Sequence, residues 1–332
     1  MSNVRASVEE FAVHGGRLDL ARAAFPEVAD WTDLSTGISP WAYPATAVDA
    51  TLRALPSPSV LAGLEAAAAA MFGSDPALTV AVPGSDLGLR LVARLLGHLG
   101  NTRVSVVGPG YSGHVAMWLD VPVTEVTADT IPPAGDHGVL VLARPNNPDG
   151  VIVDAAVLMA RPGWLIVDEA FVDTTPGDSL ANKVLPNLIV LRSFGKFFGL
   201  AGLRLGFVIA PTAVVPELRR MLGDWPVSGT AIAIGTAAYA DRGWQVTQRE
   251  RLVASATRLD ALLVGVGLIV IGGTALFRLI HAPDAAALFT HLARHRILTR
   301  PFADRPHQLR ISLPDTEADW ARLAAALDRM PT

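Results

Sequence analysis

The segment Ser193-Phe-Gly-Lys196-Phe-Phe-Gly-Leu-Ala-Gly-Leu-Arg204-Leu-Gly206 gathers groups that can hold one small molecule by two chemistries. A lysine amine condenses with an aldehyde when apolar surroundings favour its neutral form. A hydroxyl three residues before the lysine and a guanidinium eight residues after it can bond a phosphate. The glycines between them let backbone approach closely. An aldehyde and a phosphate on one ring describe pyridoxal phosphate. A glycine-rich loop that merely contains Lys and Arg is the competing explanation, so other motifs must decide.

Three such motifs follow apolar runs. Pro83-Gly84-Ser85-Asp86 comes after 78–82 and opens a helical pattern. Free N–H groups at a helix start suit a phosphate, although an ordinary N-cap at Ser85 would look the same. Arg144-Pro-Asn146-Asn147-Pro148-Asp-Gly150 comes after 138–142. It reads as a tight turn, and an Asn amide there can donate to a phenolate oxygen. Asp168-Glu169-Ala170-Phe171 closes 164–167. A carboxylate ending a buried strand is costly unless paired, and a pyridinium N–H is a natural partner for Asp168. Glu169 reads as a structural hydrogen-bonding group.

The elements that must position these motifs follow from hydrophobic pattern. Near-continuous apolar runs at 78–82, 103–107, 121–126, 138–142, 164–167, 188–191 and 205–210 predict seven strands of a mostly parallel sheet covered on both faces. Helical patterns at 59–72, 85–99 and 154–160 fall between them. The fold class is therefore α/β, a doubly wound seven-stranded domain over 42–225. Ligands in such sheets sit at the carboxyl ends of the strands, where all four motifs lie. A long helical stretch at 228–263, bent near 241–243, leads into strands at 268–271, 276–281 and 308–313 with helices at 284–295 and 316–330. These make a smaller α+β domain over 226–332, joined by an N-terminal arm, 1–41.

Composition narrows the classes. A formal charge of -4 implies no face for nucleic acid. With no Cys, disulfides, thiolate catalysis and Cys-ligated metals are excluded, and no metal site is expected. The polar, acidic first ten residues carry no signal pattern. The uncharged run 261–277 is short for a membrane span and is broken by Gly265, Gly267, Gly272 and Gly273. The expectation is a soluble cytoplasmic protein without membrane or nucleic-acid partners.

Taken in order, Asn-Asn-Pro-x-Gly, Asp-Glu-Ala-Phe and Ser-x-x-Lys-x-x-Gly-Leu-Ala-Gly-Leu-Arg-x-Gly resemble the fold type I pyridoxal-phosphate enzymes, and within them the histidinol-phosphate aminotransferase branch. The resemblance implies that Lys196 carries the cofactor, Asp168 pairs with its pyridine nitrogen and Asn147 bonds its phenolate oxygen. It implies a phosphate held by Ser193, Arg204 and the Gly84-Ser85-Asp86 backbone, with His114 in the ring-stacking place. His14-Gly15-Gly16, Asp33-Leu-Ser-Thr-Gly37-Ile-Ser39-Pro40, Gly272-Gly-Thr-x-Leu-Phe277, Arg300-Pro-Phe302 and Leu309-Arg310-Ile-Ser-Leu-Pro314 resemble the cobalamin-pathway threonine-phosphate decarboxylases of that branch.

That likeness implies a homodimer that decarboxylates L-threonine O-3-phosphate to (R)-1-amino-2-propanol O-2-phosphate. His14, Ser39, Arg300 and Arg310 are then the substrate-binding residues, the arginines suiting a carboxylate and a phosphate. Departures from the branch are Phe171 in place of Tyr, Leu55-Pro56 in place of Tyr-Pro, and Ser39 in place of Asn. The central motifs serve an aminotransferase equally well, which is the alternative. A non-catalytic cofactor-binding or regulatory protein is disfavoured, because Lys196 and Asp168 are both present and no helix-turn-helix domain is visible.

Overall fold

The structure is a computed structural model that describes residues 8–45, 52–132 and 137–330. The chain forms two compact units, Ala42–Val246 and Met1–Trp41 with Thr247–Thr332.

In the first unit the seven apolar runs form one sheet: β1 Thr79–Val82, β2 Val104–Val107, β3 Val123–Val126, β4 Val139–Ala143, β5 Leu165–Asp168, β6 Leu188–Ser193 and β7 Gly206–Ile209. Their order is β1-β7-β6-β5-β4-β2-β3. Only β7 runs against its neighbours, β1 and β6. Every residue of β1, β4, β5 and β7 is buried, as β-branched runs covered on both faces require. Because β1, β4, β5 and β6 point the same way, all four motifs leave the sheet at one edge.

Two helices set that edge. α1, Pro58–Phe72, starts on a proline and stops at Gly73, whose φ of 70° is the left-handed cap that lets the chain turn away. α2, Ser85–His98, lays Leu89, Val92, Ala93 and Leu96 into the sheet core with Val80, Val82, Ile166, Ile189 and Leu191. Gly88 permits this approach, since a Cβ there would stand 2.9 Å from Val208 Cγ2. The predicted bend near 241–243 is real. α3, Gly229–Ala240, ends where Asp241 leaves helical geometry, and α4, Arg242–Gly265, begins.

The first unit extends to Val246, beyond the boundary expected at 225. The reason is α3, whose Gly235 packs on Leu64 of α1 and on Leu205. Tyr239 of the same helix meets Phe72 and Phe207 edge-on. Helical periodicity alone does not say which core a helix face covers.

The second unit carries an antiparallel sheet of β8 Ile269–Thr274, β9 Phe277–His281, β10 Arg300–Pro301 and β11 Gln308–Ser312, in the order β10-β11-β9-β8. Thr32–Asp33 pairs in parallel with Ile297–Leu298. α5, Ala285–Arg294, starts where Asp284 accepts from Ala287 N–H, and α6, Glu317–Leu327, starts on a Thr316–Asp319 capping box.

A Cβ on Gly235 would lie 2.6 Å from Leu205 and 2.8 Å from Leu64. Gly235→Leu is therefore expected to overpack the α1–α3 contact and cost about 1–3 kcal/mol. Urea unfolding of the two proteins measures this directly.

Candidate active site

The lysine segment is the connection between β6 and the antiparallel β7, closed by pairing of Ser193 with Gly206. Gly206 is required here by space. A Cβ would lie 2.5 Å from Ser85 N, 2.9 Å from Gly84 C and 3.0 Å from Arg192 O. The start of β7 thus lies directly under the first turn of α2. Gly84 has φ 92°, and a Cβ on it would be 2.5 Å from Arg204 Nη2. The Arg204 guanidinium therefore lies against the Gly84 backbone at the helix start. Arg204 itself has φ 53°, a left-handed conformation that a non-glycine residue adopts at a cost and that recurs at functional sites. Helix N–H groups, a nearby serine and a guanidinium form a cradle whose chemistry fits a phosphate monoester.

Lys196 lies in the short helix Phe194–Phe197 that follows Ser193, half-buried, with Nζ 5.8 Å from the centre of the Phe171 ring. Gly195 lets this turn close on Ala201, whose Cα would be 2.6 Å from an added Cβ.

Asp168 ends β5 and is buried. Its Oδ1 accepts from Ala170 N–H at 3.1 Å, and its Oδ2 lies 3.0 Å from Nε2 of His114. This changes the reading of His114. The ring is 0% exposed, so it offers no open face for a ligand to stack on. It holds the Asp168 carboxylate instead. The aromatic beside it is Tyr111, half-buried, perpendicular to His114 and hydrogen-bonded through its hydroxyl to Asp86 Oδ1 at 3.0 Å. Burial, and then the Asp86 charge, push the Tyr111 phenol up, so it remains a donor. Asp86 is thereby occupied at its side chain by Tyr111 and by Arg90 Nε at 3.1 Å, leaving its backbone for the cradle.

The Asn pair divides its labour. Asn146 is buried and builds the turn, donating to Pro109 O and Asp149 Oδ1 while its carbonyl accepts from Gly150 N–H. Asn147 is half-buried at the strand edge, as an amide reaching a ring oxygen would be. Glu169 is a structural group as expected, bonded to Ser179 Oγ, Leu180 N–H and Arg192.

In the second unit, Arg300 and Arg310 stand directly opposite one another across β10 and β11. Like charges so paired repel, and the Asp33 carboxylate acts on Arg310 in the opposite sense. Arg310 is buried, donates to Ser35 O and lies 4.9 Å from the centre of the Phe277 ring. Burial, and then the Arg300 charge, push it down to about 9, so it stays a cation at neutral pH. Arg300 Nη2 donates to Ala12 O and Val13 O at 3.2 and 3.0 Å. His14 follows in the chain and is exposed. Gly16 N–H bonds Ser35 Oγ at 2.7 Å, and Gly15 packs on Ser35 O too closely for any side chain.

The Ser39 hydroxyl is buried, accepts from Gln248 Nε2 of α4 at 2.6 Å and donates to Trp41 O at 3.1 Å. Gln248 was not legible as a partner, because nothing in the sequence places it near Ser39. Among the described residues there is no cluster suited to a metal ion, and no helix is long and apolar enough to cross a membrane.

Comparison with known proteins identifies relatives over nearly the whole chain. A family model for aminotransferase class I and II matches residues 41–327. A threonine-phosphate decarboxylase of Pseudomonas aeruginosa is 44% identical over 95% of this chain and 96% of its own. Another, from a Sinorhizobium species, is 40% identical over 96% of this chain and 98% of its own. Among solved structures, a histidinol-phosphate aminotransferase from Sinorhizobium meliloti in complex with pyridoxal-5'-phosphate superposes with a TM-score of 0.76 at 23% identity, covering 93% of both chains.

The cradle can be tested by filling it. Gly84→Ala would push a methyl group into Arg204 and strain a φ of 92°. The expected outcome is a loss of pyridoxal-phosphate affinity of about tenfold or more, equivalent to one charge-assisted bond. Absorbance titration of the apoprotein with the cofactor measures it.

Proposed function

We propose that this chain, a member of the aminotransferase class I and II family, is a pyridoxal-phosphate-dependent threonine-phosphate decarboxylase. One observation carries the proposal beyond the family: 44% identity over 95% of the chain to a decarboxylase of that name. Its substrate would be L-threonine O-3-phosphate and its product (R)-1-amino-2-propanol O-2-phosphate, for cobalamin synthesis. Working as a cytoplasmic homodimer belongs to the same reading.

The residues fit the cofactor one group at a time. Lys196 Nζ, beside the Phe171 ring, is the amine for its aldehyde. The α2 N–H groups, Ser193 and Arg204 suit its phosphate, and the Asn147 amide its phenolate oxygen. Asp168, braced by His114, holds a proton at its pyridine nitrogen. When bound, pyridoxal phosphate supplies a cationic conjugated ring that takes up the electron pair released at the substrate's Cα. Lys196 Nζ then returns a proton to Cα after CO₂ has left. Arg310 and Arg300 read the two anions of the substrate, and His14 adds to the phosphate contact.

The aminotransferase alternative uses the same lysine and aspartate. Incubation with threonine phosphate separates the two: CO₂ release supports the decarboxylase, and keto-acid formation that needs 2-oxoglutarate supports the aminotransferase. Lys196→Ala should abolish turnover and the visible cofactor band while leaving the circular dichroism spectrum intact. A borohydride-reducible adduct surviving in that variant would remove the lysine from its role.

For the arginines, Arg300→Ala and Arg310→Ala should each cost about 2–4 kcal/mol in kcat/KM, more than an exposed ion pair supplies. The loss should be much smaller with unphosphorylated threonine for whichever arginine reads the phosphate. Equal kcat/KM of both variants and wild type on threonine phosphate would exclude the two-anion reading.

A further inference from the structure

Behind the cofactor half-site lies a buried ion network that the mechanism does not use. Arg192, the residue before Ser193, is 2% exposed. Its Nη1 lies 3.3 Å from Glu169 Oε2 and 3.1 Å from Ser179 Oγ, and its Nη2 pairs with Asp173. The guanidinium covers the Phe72 ring at 4.2 Å from its centre. Glu169 takes Ser179 Oγ at 2.6 Å and Leu180 N–H as well. Two carboxylates therefore share one guanidinium inside the protein, where an ion pair is retained only if its geometry and hydrogen bonds are good.

The placement of this network matters more than its existence. Asp168 pairs in register with Leu191, and Glu169 N–H bonds Leu191 O at 2.9 Å, so Glu169 and Arg192 are the next pair along β5 and β6. Side chains alternate along a strand, which sends Asp168 to one face and Glu169 to the other. On the backbone side, the Arg192 carbonyl lies under Gly206, 3.0 Å from where its Cβ would be, and Gly206 lies under Ser85 N. One side chain thus ties the end of the strand that carries Asp168 to the end of the strand that carries Ser193 and Lys196. Its own carbonyl supports the floor of the phosphate cradle.

We propose that Arg192 is a positioning residue for the reaction. Its bidentate hold on Glu169 and Asp173 fixes the Asp168 strand end against the Lys196 turn, without touching cofactor or substrate. The inference rests on the pyridoxal-phosphate reading above. A planar fork with two partners sets both distance and angle, which a lysine ammonium cannot do.

Arg192→Lys keeps the charge and removes the fork. The measurements are the thermal midpoint, the cofactor dissociation constant, kcat and KM separately, and the pH at which the visible band of the cofactor-loaded protein titrates. The expected result is a folded protein with KM within about twofold, kcat reduced about tenfold or more, and a band pKa moved by about one unit. A lowered melting midpoint with kcat and band pKa unchanged would show a purely structural role and overturn the proposal. Should Arg192→Lys not fold, Ser179→Ala removes one bond from the same network. It should move kcat and band pKa the same way by a smaller amount, and no movement in either overturns the proposal. Absence of any visible cofactor band in the wild type would instead refute the cofactor reading itself.

Discussion

Two consecutive carboxylates, Asp168 and Glu169, end a strand that is buried on both faces, and water can solvate neither of them. Burying an unpaired carboxylate is prohibitive, so each must find a partner on its own side of the sheet. On one side Asp168 takes His114, carried by the short helix Gly113–Ala116 after β2. On the other Glu169 takes Arg192, from β6, and Ser179, from the loop after β5. Removing one member of such a buried pair typically costs about 3–5 kcal/mol. The strand end is thereby held from both faces, and the Asp168 carboxylate is placed by strands rather than by a loop. A positioned acid–base group gains from this rigidity, because small displacements weaken catalysis steeply.

The second constraint is backbone proximity. The cradle forms because β7 starts directly under the first turn of α2, and only glycine at 206 allows it. Gly84 then leaves room for the Arg204 guanidinium, which Arg204 reaches through a left-handed backbone. That strain is tolerable where neighbouring structure fixes the residue from both ends, here the turn Ala201–Leu203 and the pairing of Ser193 with Gly206. The same close approach that excludes side chains concentrates N–H groups and positive charge, which is what a phosphate needs.

Much of this was legible in the sequence because it is local. Apolar runs marked all seven strands of the large sheet. The four motifs fell at strand ends, where a doubly wound sheet places its ligands. Glu169 reads as a structural hydrogen-bonding group, and its bonds to Ser179, Leu180 and Arg192 are of that kind. What was not legible is tertiary. Three-residue spacing from Tyr111 cannot say that His114 turns its Nε2 toward Asp168. Nothing near Ser39 in the sequence announces its bond to Gln248, far away in the chain. The compact unit runs on to Val246 because α3 buries its glycine and tyrosine against α1, a choice of core that helical periodicity does not reveal. Arg192 was overlooked because one charge in an apolar run reads as a strand end, and its partners lie in two separate segments.

The central motifs cannot by themselves choose between decarboxylation and transamination, since both reactions begin with the same lysine, aspartate and phosphate cradle. The choice depends on which bond at Cα is held in line with the ring's π-system, and that is set by the groups that grip the substrate's anions. In this chain two guanidiniums are placed face to face across an antiparallel pair, one of them fully buried. Such an arrangement carries a repulsion that nearby anions offset, as the Asp33 carboxylate does for Arg310. A substrate carrying both a carboxylate and a phosphate would bring one anion for each guanidinium. Reaction choice within this family therefore turns on which group receives the substrate's carboxylate, a contact for which the proposed reading assigns the guanidiniums of β10 and β11.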